Sequence, residues 1–172
     1  MSPYLVLLRA VNVGGTVLNM AKLRTLFEAR GFRGVQTYIQ SGNLVFRAER
    51  EPDGAGLEVA VQREFGVTTR VLVRSLSEMQ AVMNSNPFLG RPEVDESKLH
   101  VTFFDHAPDG PAGDVESGRD AFELRGREAY LHCPDGYGRT KLNNAFFERR
   151  LKVAATTRNW RTVQRLLEML GR

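Results

Sequence analysis

The feature that most constrains this chain is the order of elements in its first 74 residues. Tyr4-Leu5-Val6-Leu7-Leu8-Arg9 is a continuous apolar run closed by a cation, which fits a strand buried on both faces. Asn19 then stands at the N-cap position of a helix, with Met20, Leu23, Leu26 and Phe27 at helical spacing and Gly31 at its end. Residues 35–40 and 44–48 are rich in β-formers, and Ser41-Gly42-Asn43 between them is a tight hairpin signal. Residues 51–56 form a turn, Leu57, Val61 and Phe65 stripe a second helix closed by Gly66, and residues 69–74 form a fourth strand. This β-α-β-β-α-β order is that of a split βαβ, ferredoxin-like unit, so the expected class is α+β.

The remaining residues, 75–172, read as a second α+β half packed with the first into one compact domain. Ser75 and Glu78 form a capping box before Met79, Val82 and Met83, and Asn86-Pro87 breaks that helix. Residues 99–104 form a strand, and 105–118 form a loop rich in Asp, Gly and Pro with room for one helical turn. Residues 121–125 and 128–133 form a hairpin around Gly126-Arg127. Two helices, 141–151 and 158–170, end the chain, the last with Trp160, Val163, Leu166, Leu167 and Leu170 on one face. The half is a candidate degenerate copy of the first unit on topology alone, because no repeat shows in the residues.

Composition removes several function classes. At 42% apolar and 26% charged, the 172-residue chain can bury a full core without a metal or disulfide. No apolar run reaches the ~20 residues of a membrane helix. Cys133 is alone and no basic leader precedes the first strand, so a cytoplasmic location is expected. The three histidines, His100, His106 and His132, show no zinc spacing, and no cofactor fingerprint is present. His132 and Cys133 are adjacent on a strand, so they point to opposite faces and cannot pair as base and nucleophile. An RNA-recognition reading lacks its exposed strand aromatics, with only Tyr4 and Phe46 on offer. Phe32, Phe46, Phe65 and Phe103 are read as core.

Three polar clusters stand out. In a split βαβ unit, strands one and two run parallel with strand three between them. The loop after strand one (Arg9, Asn12, Gly14, Gly15) should therefore meet the hairpin after strand two (Ser41, Gly42, Asn43). The competing reading is a plain glycine turn beside a hairpin chosen for positive φ. The second cluster is Gly136-Tyr137-Gly138-Arg139-Thr140-Lys141, read as immediately preceding a helix. Glycine-turn amides and a helix N-terminus favour an anion, and cations in a first turn are otherwise unfavourable by roughly 0.3–1 kcal/mol. The plain reading is a Thr140 cap with solvated cations. The third is Thr156-Thr157-Arg158-Asn159-Trp160, read as another helix start with Thr157 or Asn159 as cap and Trp160 as core anchor, or else as a base-stacking ring. Charge supports the last two clusters. Residues 1–138 carry 15 basic and 18 acidic side chains, whereas residues 139–172 carry nine basic and two acidic.

Taken together, residues 9–15, Met20 and Leu23, residues 38–43, Asn86-Pro87-Phe88, His100-Val101, residues 136–142 and residues 156–160 resemble the bacterial family called domain of unknown function 1697. The resemblance spans nearly the whole chain in order. It implies a single-domain α+β fold and a shared polar locus, and no activity, substrate or cofactor. Ala10 stands where the family usually has Gly, Thr140 where it has Ser, and residues 16–19 lack the common lysine. The expected function is binding of an anionic, phosphate-bearing small ligand such as a nucleotide. The contacts would come from Arg9, Asn12, Gly14, Gly15, Ser41, Asn43, Gly138, Arg139, Lys141, Thr157, Arg158 and Asn159, with no catalytic group named. Nucleic-acid binding by the basic C-terminal part and a ligand-free interaction module are the alternatives.

Overall fold

A computed structural model describes residues 1–9, 17–39 and 41–172. The chain divides into two compact units, Met1–Gln80 with Leu166–Arg172, and Ala81–Arg165.

The first unit runs β1 (Ser2–Leu8), α1 (Met20–Ala29), β2 (Arg33–Tyr38), β3 (Asn43–Ala48), α2 (Gly54–Phe65), β4 (Val71–Ser75) and into α3 (Leu76–Asn84). Its sheet has the order β2-β3-β1-β4 with each neighbouring pair antiparallel, so β3 lies between β1 and β2 as the split βαβ order requires. Leu5, Val6, Leu7 and Leu8 are all fully buried, which accounts for an apolar run without alternation. Val6 and Leu8 join Leu23, Phe27, Phe46, Leu57 and Val61 in one core cluster. Phe32 is only partly buried there, yet its ring stacks on Phe46 at 4.4 Å. Local chemistry sets the element ends. Asn19 Oδ1 accepts the Lys22 N–H at 3.0 Å and starts α1, and Gly66 closes α2 at φ +67°. The capping box forms reciprocally: the Glu78 N–H donates to Ser75 Oγ and the Ser75 N–H to Glu78 Oε1. Helix α2 begins at Gly54, inside the span expected as turn.

The second unit carries β5 (Leu99–Phe104), β6 (Ala121–Arg125), β7 (Glu128–His132), α4 (Asn144–Leu151), β8 (Ala155–Asn159) and α5 (Trp160–Leu170), whose last turn is counted with the first unit. Its sheet order, β6-β7-β5-β8, repeats that of the first, strand for strand. Leu5 pairs with Arg74 on β4, as Val101 pairs with Arg158 on β8. The Leu8 N–H donates to the Gly42 carbonyl and the Phe104 N–H to the Arg127 carbonyl, both at 2.8 Å. Glu58 of α2 accepts the Val71 N–H at 2.9 Å, and Glu148 of α4 accepts the Ala155 N–H at 3.0 Å. The second unit is thus a copy of the first in register, with residues 105–118 in the place of α1 and no helix there. Strand β8 was not expected. The sequence reading assigned its last residues to the start of the final helix, which begins at Trp160 instead, because Asn159 rather than Thr157 provides the cap.

Candidate functional site

In the first unit, β1 and β2 both run antiparallel to β3, so their C-terminal ends share one sheet edge and Leu7 and Tyr38 both pair with Asn43. The two strand ends meet as the split unit requires. Asn43 is fully buried, and its Nδ2 donates to the Tyr38 carbonyl and to Ser41 Oγ, both at 2.8 Å. Gly42 sits at φ +84°. The Asn43 amide is therefore turned into the hairpin, as the turn reading had it. The Arg9 backbone is fastened to the start of β4. Its N–H donates to the Arg70 carbonyl at 3.0 Å and its carbonyl accepts the Thr69 hydroxyl at 2.7 Å. Asn12, Gly14 and Gly15 lie outside the described residues.

The second cluster forms a built turn. The Gly136 N–H donates to the Cys133 carbonyl, and Gly136 adopts φ +98°, a conformation that a Cβ would strain. Residues Tyr137–Arg139 make one 3₁₀ turn, closed by the Thr140 N–H on the Tyr137 carbonyl at 3.1 Å. Thr140 caps only the next two residues, through its hydroxyl and the Leu142 N–H. Helix α4 starts at Asn144, because Asn143 is the better cap and its Oδ1 takes the Phe146 N–H at 2.9 Å. This corrects the expectation of a helix from residue 141. Lys141 lies outside the first turn of α4, so the helix-end argument does not apply to it. Arg139 and Lys141 instead line an open cleft of about 390 Å³ with Gly136, Asp135, Arg119 and Asp120. Arg119 Nη1 and Asp135 Oδ1 pair across it at 2.6 Å, both exposed. Nothing in the sequence marked Arg119. It follows an unremarkable Ser117-Gly118 turn in which Ser117 Oγ donates to the Asp120 carbonyl.

The third cluster sits on β8. Asn159 Oδ1 accepts the Thr162 N–H at 2.8 Å and caps α5, as one sequence reading expected. Thr157 is a strand residue, a correction of its placement at a helix start. Its hydroxyl lies 2.8 Å from Thr102 Oγ1 and donates to Asn144 Oδ1 at 2.6 Å. Arg158 is only 6% exposed, and its Nη1 donates to Thr156 Oγ1 at 2.6 Å and to the Thr157 carbonyl at 3.0 Å. Burial pulls its pKa down to about 10, against the opposing pull of nearby Tyr137. Trp160 is 1% exposed and anchors the core, although its indole N–H has no acceptor.

Tyr137 ties the second cluster to the third. Its ring stacks on His100 at 4.7 Å with 23° between planes, and its hydroxyl bonds Thr157. Burial raises the Tyr137 pKa, and the Thr157 bond offsets part of that rise. Burial lowers the His100 pKa, with the Lys98 carbonyl opposing, and His100 Nδ1 is buried without a hydrogen-bond partner. The Cys133 thiol is pushed up by burial, against a bond to Thr140. A neutral thiol buried just past the end of β7 is a poor nucleophile. Among the described residues, no three His, Cys, Asp or Glu side chains are placed to hold a metal ion, and no helix is long and apolar enough to cross a membrane.

The chain is similar in fold to a solved structure described as conserved bacterial protein SP0830 from Streptococcus pneumoniae. The match has a TM-score of 0.69 at 21% identity and covers 100% of this chain and 99% of that one. No curated protein matches the chain. Residues 1–130 match the family described as protein of unknown function, DUF1697, which is the family the polar motifs resemble. The chain belongs to the DUF1697 family.

Proposed function

We propose that this protein binds a small anionic, phosphate-bearing ligand, such as a nucleotide, in the cleft of its second unit. The observation that carries this reading is the convergence of Arg119, Arg139 and Lys141 on one cleft beside the Gly136 turn. Only Asp120 and Asp135 face them there, and Asp135 is already paired with Arg119. Its volume of about 390 Å³ falls within the ~300–1,000 Å³ of small-molecule sites. Arginine offers a planar fork to phosphate, and lysine a point charge. Gly138, without a side chain, leaves the backbone beside Arg139 open to close approach.

The reading is narrower than the sequence alone suggested. Arg158 is buried and occupies the position that Arg74, 1% exposed, fills in the first unit, which favours an architectural part for both arginines. Of the hydroxyl and carboxylates that line the cleft, Ser117 Oγ donates to the Asp120 carbonyl and Asp135 pairs with Arg119, so the proposal is binding and not a reaction. The test is thermal unfolding of wild type, R139A and K141A with nucleotides and inorganic pyrophosphate. Ligand at 100 times its Kd stabilises by about 2.7 kcal/mol. At about 2–4 °C per kcal/mol for a chain of this size, the wild-type midpoint should rise by about 5–10 °C. R139A should lose most of that rise. No shift with any anion, or an equal shift in R139A, refutes the reading. Retention on single-stranded RNA with a log–log salt slope steeper than about −2 would mean more than the three cleft cations are engaged, and would favour nucleic acid instead.

A further inference from the structure

The in-register copy gives most positions of the second unit a counterpart in the first. Positions that the architecture demands are filled alike. Glu58 and Glu148 each hold the first N–H of the following strand, and Ser75 and Asn159 each cap the following helix. On the helix-covered face of the sheet, one group of positions breaks this pattern. The cross-strand pair Val6 and Val73 in the first unit corresponds to the cross-strand pair Thr102 and Thr157 in the second. Gly54, the residue after the Asp53 N-cap, corresponds to Asn144, the residue after the Asn143 N-cap.

The first unit fills these positions without polar side chains. Val6 is fully buried in the core cluster and Val73 packs against it, while a Cβ on Gly54 would lie 3.9 Å from Val73 Cγ2. The second unit places two hydroxyls and an amide there. Thr157 donates to Asn144 Oδ1, its hydroxyl lies 2.8 Å from Thr102 Oγ1, and it bonds the Tyr137 hydroxyl. Burying these groups exchanges water bonds for internal ones and contributes little net stability, whereas a valine pair would add apolar burial. The duplicate therefore demonstrates that this architecture does not require the polar set. What the set does in the second unit alone is tether Tyr137, whose 3₁₀ turn carries Gly138 and Arg139.

We infer that Thr102, Thr157 and Asn144 are positioning residues of the ligand cleft, which act through Tyr137 to hold Arg139 in place. The inference rests on the reading of the cleft as an anion site. His100, stacked on the same ring, braces it from the β5 side.

The experiment measures two quantities on wild type, T157V, T102V/N144G/T157V, T157S, Y137F and R139A: the unfolding midpoint without ligand, and the Kd for inorganic pyrophosphate by calorimetry. T157V alone strands Asn144 Oδ1 and the Thr102 hydroxyl and should unfold below wild type, whereas T102V/N144G/T157V installs the first unit's residues at all three positions and should unfold at or above the wild-type temperature. Both should bind pyrophosphate at least five-fold more weakly. Y137F removes the same bond without touching the sheet and should show a similar loss. T157S keeps the hydroxyl and should restore affinity to within two-fold of wild type. Wild-type affinity in T157V and Y137F, with R139A impaired, overturns the positioning role and leaves the cleft reading intact. A T102V/N144G/T157V midpoint well below wild type also overturns it, because the polar set would then serve stability. If wild type binds no pyrophosphate, or R139A binds as wild type does, the cleft reading fails and this inference fails with it.

Discussion

Glu148 offers a direct measure of how closely the second unit copies the first. It lies five residues after the Asn143 cap, and its Oε2 accepts the N–H of Ala155, the fully buried first residue of β8, at 3.0 Å. Glu58 lies five residues after Asp53 and holds Val71 at 2.9 Å. E148A leaves that buried N–H without this acceptor, and a lost bond to a charged group costs about 1.5–3 kcal/mol. Alanine is the better helix former by a few tenths of a kcal/mol, so the expected net loss is about 1.5–2.5 kcal/mol. E58A should cost the same within about 0.5 kcal/mol, since the additional Arg70–Glu58 pair is half-exposed on the arginine side and contributes little. E148Q keeps an oxygen acceptor and should lose under about 1 kcal/mol. Urea unfolding followed by circular dichroism reads all three. An E148A stability within about 0.5 kcal/mol of wild type would refute the assignment of this bond as a structural clasp, and a large E58A loss beside it would refute the equivalence of the two units.

Two further outcomes follow from the second unit. Burial holds the His100 pKa below its ordinary 6.5, so the unfolded chain takes up this proton first as pH falls. The stability due to His100 is therefore complete above pH 6.5 and is lost as pH falls through the folded value; H100N should show a flatter urea midpoint between pH 7.5 and 5 than wild type. N159A removes the cap on α5 and should lower stability by about 1 kcal/mol, while N159S, which retains a capping oxygen, should recover most of it in the same assay.

Much of the first unit was legible because each element end has a local chemical cause. Asn19, the Ser75–Glu78 box and Gly66 act on residues within four positions of themselves, and such short-range bonds can be read along a chain. Strand β8 was not legible for the opposite reason. Ala155 and Thr156 are held by pairing to Phe104 and Phe103, some 50 residues away, and by Glu148 of α4. The two caps near β8 also misled. A Thr-Thr-Arg-Asn stretch contains two capping residue types, and only packing decides that Asn159 takes the helix. The cleft was half legible. Arg139 and Lys141 were marked by their glycines, whereas Arg119 reaches the cleft from the end of the connection that stands in the place of α1, which has no pattern of its own. The polar set around Thr157 could not be seen from residue types, since a Thr on a strand is ordinary. It became visible only when the register showed that Val73 does the same packing without a hydroxyl.

The concentration of nine cations in residues 139–172 suggested one basic end, and the structure distributes them among different tasks. Arg158 is buried and donates to Thr156 Oγ1 and to the Thr157 carbonyl. Arg150 reaches back to the carbonyls of Ala112 and Asp114 and lies 5.3 Å over the Phe146 ring, so it braces the loop that stands in place of a helix. Arg172 is counted with the first unit, where it pairs with Glu168 and its carbonyl accepts from Arg47. Arg139 and Lys141 turn to the cleft, where Arg119 joins them from outside the basic stretch. A nucleic-acid surface needs a stripe of solvent-facing cations spaced along a backbone. A small anion needs a few cations converging on one volume with a backbone able to come close. Three of the nine are committed to internal bonds, and two converge on the cleft with a third cation the charge count never included. Convergence, which net charge cannot register, is what favours the small ligand.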